Sequence, residues 1–286
     1  MIASIIASGL AIGAVYALIG ITYNTMYSAS RVMSFTAGQF GMLGGVFGAL
    51  FMTSTGLPAA ASFVLTVAAC ALAGVVTEIV AVRRVLHKLE QHLYVLSTLA
   101  LAQMMAQLTA IGYGTEPKPF PRIFGIGRGD PLDEKFWLPL LACGAIIIAL
   151  ELLYRHSLLG FAFRAIAEDQ FASRALGLPE AGLRVASFAI AGAIGGAAGF
   201  AGGQLLLAFF GNGGLLTFYG FIPVAIGGVG NNRGALAGGL ALGLFQQAAN
   251  FVFGGVFASV AVFTAFIVIL LLAPNGIFGA VRTRRV

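Results

Sequence analysis

Runs of about 20 residues with almost no charge recur along this chain from end to end, the length that carries a helix across a hydrocarbon core of about 30 Å. Charged residues make up 9% of the sequence and hydrophobic residues 59%, whereas soluble domains carry about 25% charged residues. The chain therefore reads as a polytopic membrane protein. At roughly 30 residues per span and connection, its 286 residues hold eight to ten crossings and leave no room for a soluble catalytic domain.

The apolar segments lie near 1–29, 38–54, 58–82, 93–113, 136–154, 184–210, 214–230, 234–253 and 256–273. The expected fold is all-α: one transmembrane domain over 1–286 with about nine segments, some broken at glycines. Residues 1–29 lack a Lys or Arg ahead of their apolar run and are expected to stay as the first span rather than be cleaved. Glycine, 40 residues in all, gathers in seams such as GAIGGAAGFAGG (Gly192 to Gly203) and GALAGGLALG (Gly234 to Gly243), which allow helices to approach closely. Cys70 and Cys143 sit inside apolar runs and are expected as buried small residues rather than disulfide partners or metal ligands.

The net charge of +6 reports topology, because Lys and Arg accumulate on cytoplasmic loops. No aromatics alternate with the basic residues as nucleic-acid binding would require. Arg83, Arg84 and Lys88, the four arginines of 155–184, and Arg282, Arg284 and Arg285 are placed in the cytoplasm, with the C-terminus. The loop 114–135 then lies outside. It holds four basic residues, four acidic residues and four of the nine prolines, which suits an ordered connection without a long helix.

Two segments echo each other. SFTAGQFGMLGGVFGAL (Ser34 to Leu50) and GNNRGALAGGLALGLF (Gly230 to Phe245) each follow an apolar run with a polar, glycine-containing break and continue as a small-residue helix. Paired interruptions of this kind mark a solute path at the interface of an internal repeat.

Several chemistries lack their residues. None of Lys88, Lys118 and Lys135 follows a G-x-x-x-x-G-K-[ST] pattern, so ATP hydrolysis by that route is excluded for this chain. His87, His92 and His156 form no H-E-x-x-H or Cys/His cluster, so neither a metal site nor a cofactor is expected. Glu78 and Glu151, each near the cytoplasmic end of its helix beside Arg83 or Arg155, read as interfacial ion pairs. No span carries an ionisable residue near its centre, where proton- or ion-driven carriers commonly place one. A coupled carrier with a site of carbonyls and hydroxyls, or a passive channel, remain the alternatives to a pump driven from outside the chain.

The segment 155–180, RHSLLGFAFRAIAEDQFASRALGLPE, is unlike the rest. As one helix over 158–176 it would align Leu159, Phe163, Ile166 and Phe171, with Arg164, Glu168, Asp169 and Arg174 as a charged surface. Gly160 and the Gly177-Leu178-Pro179 stop bracket it. Its balanced charge favours docking on another protein over lying on membrane lipid.

At these residues the chain resembles the permeases of branched-chain amino-acid ABC importers. GFAFRAIAEDQFASRALGL (Gly160 to Leu178) is similar to the family's G-x-x-x-R-A-x-A-E-D-x-x-x-A-x-x-L-G. YSASRVMSFTAGQFGMLGG (Tyr27 to Gly45), AIGGVGNNRGALAGGLALG (Ala225 to Gly243) and LLLAPNGIFG (Leu270 to Gly279) resemble three more of its segments, in the family's order. The resemblance implies a permease subunit of a bacterial importer in the inner (plasma) membrane. Two cytoplasmic ATPase subunits, which bind ATP and Mg, would drive it. A second, different permease would complete it, and a periplasmic solute-binding protein would feed it.

It further implies that 155–180 is the coupling segment, with Gly160, Arg164, Glu168, Asp169 and Arg174 meeting the ATPase. The two breaks place Ser34, Phe35, Thr36, Gln39, Asn231 and Asn232 on the substrate path. Ser34 stands where the family usually has Asn, and Gln39 where it has Glu, so the solute could be a branched-chain or other amino acid, or a related carboxylate or amide. Arg31 and Arg233 are additional charges in the breaks: either they brace loops or snorkel to headgroups, or they meet an anionic group of the solute.

Overall fold

The computed structural model describes residues 2–85, 93–124, 133–273 and 276, and the side chains of Ile2, Gln170, Arg174 and Val256 lie outside the described set. Lys88, residues 125–132 and the arginines that close the chain likewise fall outside it. The described residues form eleven helices: α1 (Ile2–Ser30), α2 (Ala37–Ser54), α3 (Ala59–Thr77), α4 (Leu93–Tyr113), α5 (Glu134–His156), α6 (Leu158–Glu168), α7 (Gln170–Ala175), α8 (Glu180–Leu206), α9 (Asn212–Gly227), α10 (Asn232–Phe253) and α11 (Gly255–Leu272).

Each of the nine apolar segments coincides with a helix. Among the described residues, six stretches are long and apolar enough to cross a membrane unaided: Ala3–Ser30, Ala59–Val82, Leu93–Tyr113, Glu134–His156, Glu180–Leu206 and Asn232–Phe253. Asn212–Gly227 and Phe257–Leu272 are shorter apolar helices. Length and hydropathy thus support six crossings where nine segments were expected.

The centre of the bundle is α1. From Ala14 to Ile19 its side chains are buried on every face, which is why its sequence shows no polar stripe: a helix that is apolar all round belongs inside. It packs along α8, α9 and α10, while α2 and α3 pack on α8. The outer helices turn large apolar side chains outward, among them Leu72, Leu108, Ile111, Ile148 and Leu271, as helices facing lipid do.

The glycine seams serve these crossings. Along α8, Gly192 and Gly196 lie against Cys70 of α3, and Gly195 lies against Phe40 of α2. Cys70 is accordingly buried. A Cβ at Gly195 would stand 2.6 Å from the Cβ of Phe40, too close for either backbone to keep its place. Gly195→Leu is expected to cost about 1–3 kcal/mol or more by overpacking, read as a lower unfolding temperature of the purified chain. An unchanged midpoint would mean that α2 and α8 do not cross there.

One ion pair is buried at the end of α3. A five-residue π-helical turn, Glu78–Val82, extends that helix, and the fully buried Glu78 accepts from Arg184 Nε of α8 at 2.9 Å. Arg83 Nε approaches the other carboxylate oxygen at 3.5 Å. The sequence reading gave Glu78 only Arg83 as a partner and put Arg184 at the edge of a loop. The correction follows from α8 beginning at Glu180, which carries Arg184 into the bundle.

On the opposite side, the described residues of the 114–135 loop are tied down. Phe120 is buried against Gly203 and Phe200, and Lys118 and Ala208 exchange a pair of backbone hydrogen bonds at 3.1 and 2.9 Å. Glu134, at the start of α5, accepts from the backbone N–H groups of Ile123 and Phe124 and from Gln204 Nε2 at 2.7 Å.

Candidate functional site

The first break runs from Arg31, whose φ of 56° ends α1, to Thr36, which precedes α2. Its freed polar groups find partners within the break and on α4 and α9. Ser34 and Thr36 share a hydroxyl–hydroxyl hydrogen bond at 2.8 Å. The N–H of Phe35 donates to Thr98 Oγ1 of α4 at 3.4 Å, and its carbonyl accepts from Thr217 Oγ1 of α9 at 3.3 Å. Tyr23 of α1 donates to the carbonyl of Thr217 at 3.1 Å. Gln39 is buried against Gly213, and its Oε1 has no partner among the described residues. The half-buried Phe35 stacks on Phe221 at 6.4 Å and meets Tyr23 edge-on at 6.5 Å. Hydroxyls, one amide and an aromatic face are therefore gathered where the helix is interrupted.

The second break joins α9 to α10 through Gly228 and Gly230, with φ of 85° and 87°, values glycine adopts without strain. Asn231 caps α10, its Oδ1 accepting from the N–H of Gly234 at 3.0 Å, an N-cap for which asparagine is well suited. The N–H of Gly230 donates to Asn24 Oδ1 of α1 at 2.9 Å. Asn231, Asn232 and Arg233 line a cavity of about 320 Å³ facing α5, with Glu151, Arg155 and Arg164. A neighbouring cavity of about 220 Å³ lies between Asn24, Asn232 and α6.

The structure therefore does not bring the six proposed path residues into one chamber. Ser34 and Thr36 bond each other, Gln39 lies against Gly213 of α9, and none of the three lines either cavity. The two breaks are linked through consecutive residues of α1, Tyr23 and Asn24.

Both additional arginines have partners in the protein. The Arg31 guanidinium donates to the carbonyl of Ala167 near the end of α6 and lies over the Tyr27 ring at 5.5 Å. Arg233 pairs with Glu151 at 3.1 Å, a carboxylate that also meets Arg155 at 2.6 Å. Arg31 thus braces the first break against the polar segment.

That segment departs from the single helix expected over 158–176. Asp169 leaves helical geometry, with φ of −147° and ψ of 109°. Its Oδ1 accepts from the N–H groups of Phe171 and Ala172 at 2.8 and 3.1 Å, so Asp169 ends α6 and caps α7. Asp is neutral to unfavourable inside a helix for this reason. The expected apolar stripe is split as well. Phe163 and Ile166 are buried with Ala29 and Leu183, whereas Leu159 and Phe171 are exposed, Phe171 at 83%.

Gly160 lies directly against the backbone of Leu153 and Tyr154, which fixes the sharp α5–α6 corner. Arg164 donates to the carbonyl of Tyr154, Glu168 is exposed, and the side chain of Arg174, on α7, lies outside the described residues.

The comparisons with known proteins bear on this arrangement. A family model described as branched-chain amino acid transport system / permease component matches residues 5–273. The chain belongs to that family. Its members are transport permease components rather than enzymes. Among its curated relatives, the high-affinity branched-chain amino acid transport system permease protein LivH of Escherichia coli (strain K12) is 27% identical, covering 98% of this chain and 96% of the relative. LivH of Salmonella typhimurium is 26% identical over the same shares. The permease protein BraD of the corresponding system of Pseudomonas aeruginosa is 27% identical, again over 98% and 96%. No solved structure matches the chain.

Within this family frame, three of the four motifs seen in the sequence bound the two breaks and the α5–α6 corner. Half of the fourth, 270–279, lies outside the described residues. Its Gly276 rests against the backbone of Ala225 and Gly228 at the second break. The sequence reading passed over Tyr23, Asn24 and Thr217. A lone amide in the apolar run of α1 was the available signal, since polar side chains inside spans are rarely idle.

Proposed function

We infer that this chain is the transmembrane permease subunit of a bacterial ABC importer. With a second related permease it forms the path for a small polar organic solute, and separate cytoplasmic ATPases drive the cycle. The observation that carries this reading is the family match over 5–273, because it spans both breaks and the polar segment together. The relatives' names favour a branched-chain amino acid as cargo, and the carboxylates and amides of similar size stay within the same chemistry. In this reading the chain lies in the inner membrane with α6, α7 and the C-terminus in the cytoplasm, and α2, α9 and α11 complete the nine segments as short or partial spans. A periplasmic binding protein delivers the solute at the 114–135 side.

Support for the ATPase contact comes from α6 and α7. Phe163 and Ile166 hold them to the bundle, while Leu158, Phe161, Phe171 and Leu176 remain exposed beside Glu168. Such a surface suits a protein groove better than a headgroup layer, whose ligand helices are strongly basic.

Reconstitution into liposomes with the partner permease, the ATPases and the binding protein tests the whole reading. ATP-dependent uptake of leucine, isoleucine or valine is the expected result. Uptake that persists without ATP, or that follows only an ion gradient, would return the chain to the carrier or channel class.

The path itself is assigned to Ser34, Phe35, Thr36 and Gln39, with Asn231 and Asn232 farther along. Thr36 is fully buried, so a bulky replacement would disturb packing as well as passage, and the near-isosteric Thr36→Val is the cleaner probe. It removes the hydroxyl bonded to Ser34 and is expected to lower uptake about tenfold, the effect of one hydrogen bond lost at the break, while the partner subunits still co-purify. Full uptake by Thr36→Val would move the path away from the first break.

A further inference from the structure

Four elements converge on the cavity of about 220 Å³: Asn24 and Ser28 of α1, Tyr154 of α5, Phe163 and Arg164 of α6, and Gly230 and Asn232 of the second break. Two polar atoms here are buried without a partner among the described residues, Asn24 Nδ2 and Asn232 Oδ1. Asn24 is only 2% exposed. Its orientation is fixed because its Oδ1 is occupied by the N–H of Gly230, which leaves Nδ2 as the donor presented to the cavity. Buried polar groups almost always have partners, and leaving one unmade costs about 1–3 kcal/mol.

The remaining chemistry points to the kind of partner. Tyr154, Arg164, Gly230 and Asn232 are shared with the larger cavity of about 320 Å³, and there Glu151 faces Arg155 and Arg233. The walls of the two cavities thus hold three guanidinium groups, at Arg155, Arg164 and Arg233, against one carboxylate, a surplus of two positive charges. Both volumes far exceed the about 10–15 Å³ that admits a single water. An unpartnered donor and a surplus of cations complement a carboxylate, and an unpartnered carbonyl oxygen complements an ammonium group.

We propose that this cavity is a binding site for a small α-amino acid that enters from the cytoplasm, set apart from the first-break part of the path although it shares Asn232 with the part farther along, and that its occupation slows the pump. The carboxylate meets Asn24 Nδ2 on the side of Arg164, and the ammonium group meets Asn232 Oδ1. This rests on the orientation given under the proposed function, in which α6 faces the ATPase. An amino acid held between α1, α6 and α10 ties the ATPase-facing helix to the bundle, so ATP hydrolysis falls as internal solute accumulates. Energetically the ligand acts only through its preference for the state in which these elements are close.

The test uses the full complex of both permeases and the ATPases in nanodiscs, without the binding protein, whose own solute site would mask the signal. Equilibrium binding is measured with radiolabelled leucine, alanine, serine and glutamine, and with propionate and propylamine as probes that each carry one half of the recognised group, the carboxylate or the ammonium. Saturable binding of at least one amino acid, tighter than of either half-probe, is expected.

Asn24→Asp keeps the acceptor for Gly230 and removes the donor, and Asn232→Leu removes an oxygen that has no partner among the described residues. Each is expected to weaken binding about tenfold, the worth of one charge-assisted hydrogen bond. In the same complex, ATP hydrolysis is expected to fall several-fold as the bound amino acid is added, and to fall less in Asn24→Asp. Absence of saturable binding, binding equally tight in both variants, preference for a half-probe, or hydrolysis indifferent to the amino acid would each overturn the proposal. Normal ATP-driven uptake alongside any of these results would leave the importer reading intact and sink this inference alone.

Discussion

Glu78→Ala is expected to destabilise the purified chain by about 3–5 kcal/mol, because it leaves the Arg184 guanidinium buried without its carboxylate. Arg184 Nε lies 2.9 Å from Glu78 Oε1, and the Arg184 side chain is about one-tenth exposed, so water cannot take over the lost bond. Arg83, nearly half exposed, can rehydrate and should matter much less. Replacing both buried partners, Glu78→Leu with Arg184→Met, is expected to recover most of the loss, since apolar groups of similar volume often match a buried pair. The measurement is the unfolding midpoint in detergent for Glu78→Ala and for the double variant. A single variant as stable as the parent would show that the pair is hydrated.

Glu168→Arg is expected to weaken the contact with the ATPase by about 2–5 kcal/mol if the carboxylate enters a buried, hydrogen-bonded pair. Asp169 needs a different probe, because its carboxylate is engaged within the chain as the cap of α7. Asp169→Ala should cost about 0.5–2 kcal/mol of local helix stability and act on docking only through α7, whereas Asp169→Asn should retain most of the cap. Co-purification of the ATPase, followed by binding-protein-stimulated hydrolysis, separates these effects. A Glu168→Arg chain that holds the ATPase at parental levels and is stimulated as fully would place the contact elsewhere, in 83–92 or in the C-terminal tail.

The apolar segments were legible because spans are written in composition: their lengths and freedom from charge locate helices with no knowledge of packing. Both breaks were legible for a related reason, as glycine and amides are concentrated where backbone must leave the helix. Partners across the bundle were not. Glu78 and Arg184 stand 106 residues apart, and only the docking of α3 on α8 joins them, so local spacing pointed to Arg83. Asp169 shows a limit of periodicity: its carboxylate fits a charged helical face as well as it fits a cap, and the cap prevails because it satisfies two N–H groups at once. Leu159 and Phe171 followed the same apolar stripe as Phe163 and Ile166 in sequence, yet the kink at Asp169 turns Phe171 away.

The consecutive pair Tyr23 and Asn24 carries a mechanical meaning. Neighbours on a helix point about 100° apart around its axis: one holds the Thr217 carbonyl beside the first break, and the other holds the Gly230 N–H within the second. A few residues on, Arg31 fastens the end of the same helix to α6. Turning α1 like a camshaft would therefore move all three followers in fixed phase, so a single rotation would time the opening of one break, the closing of the other and the stroke of α6.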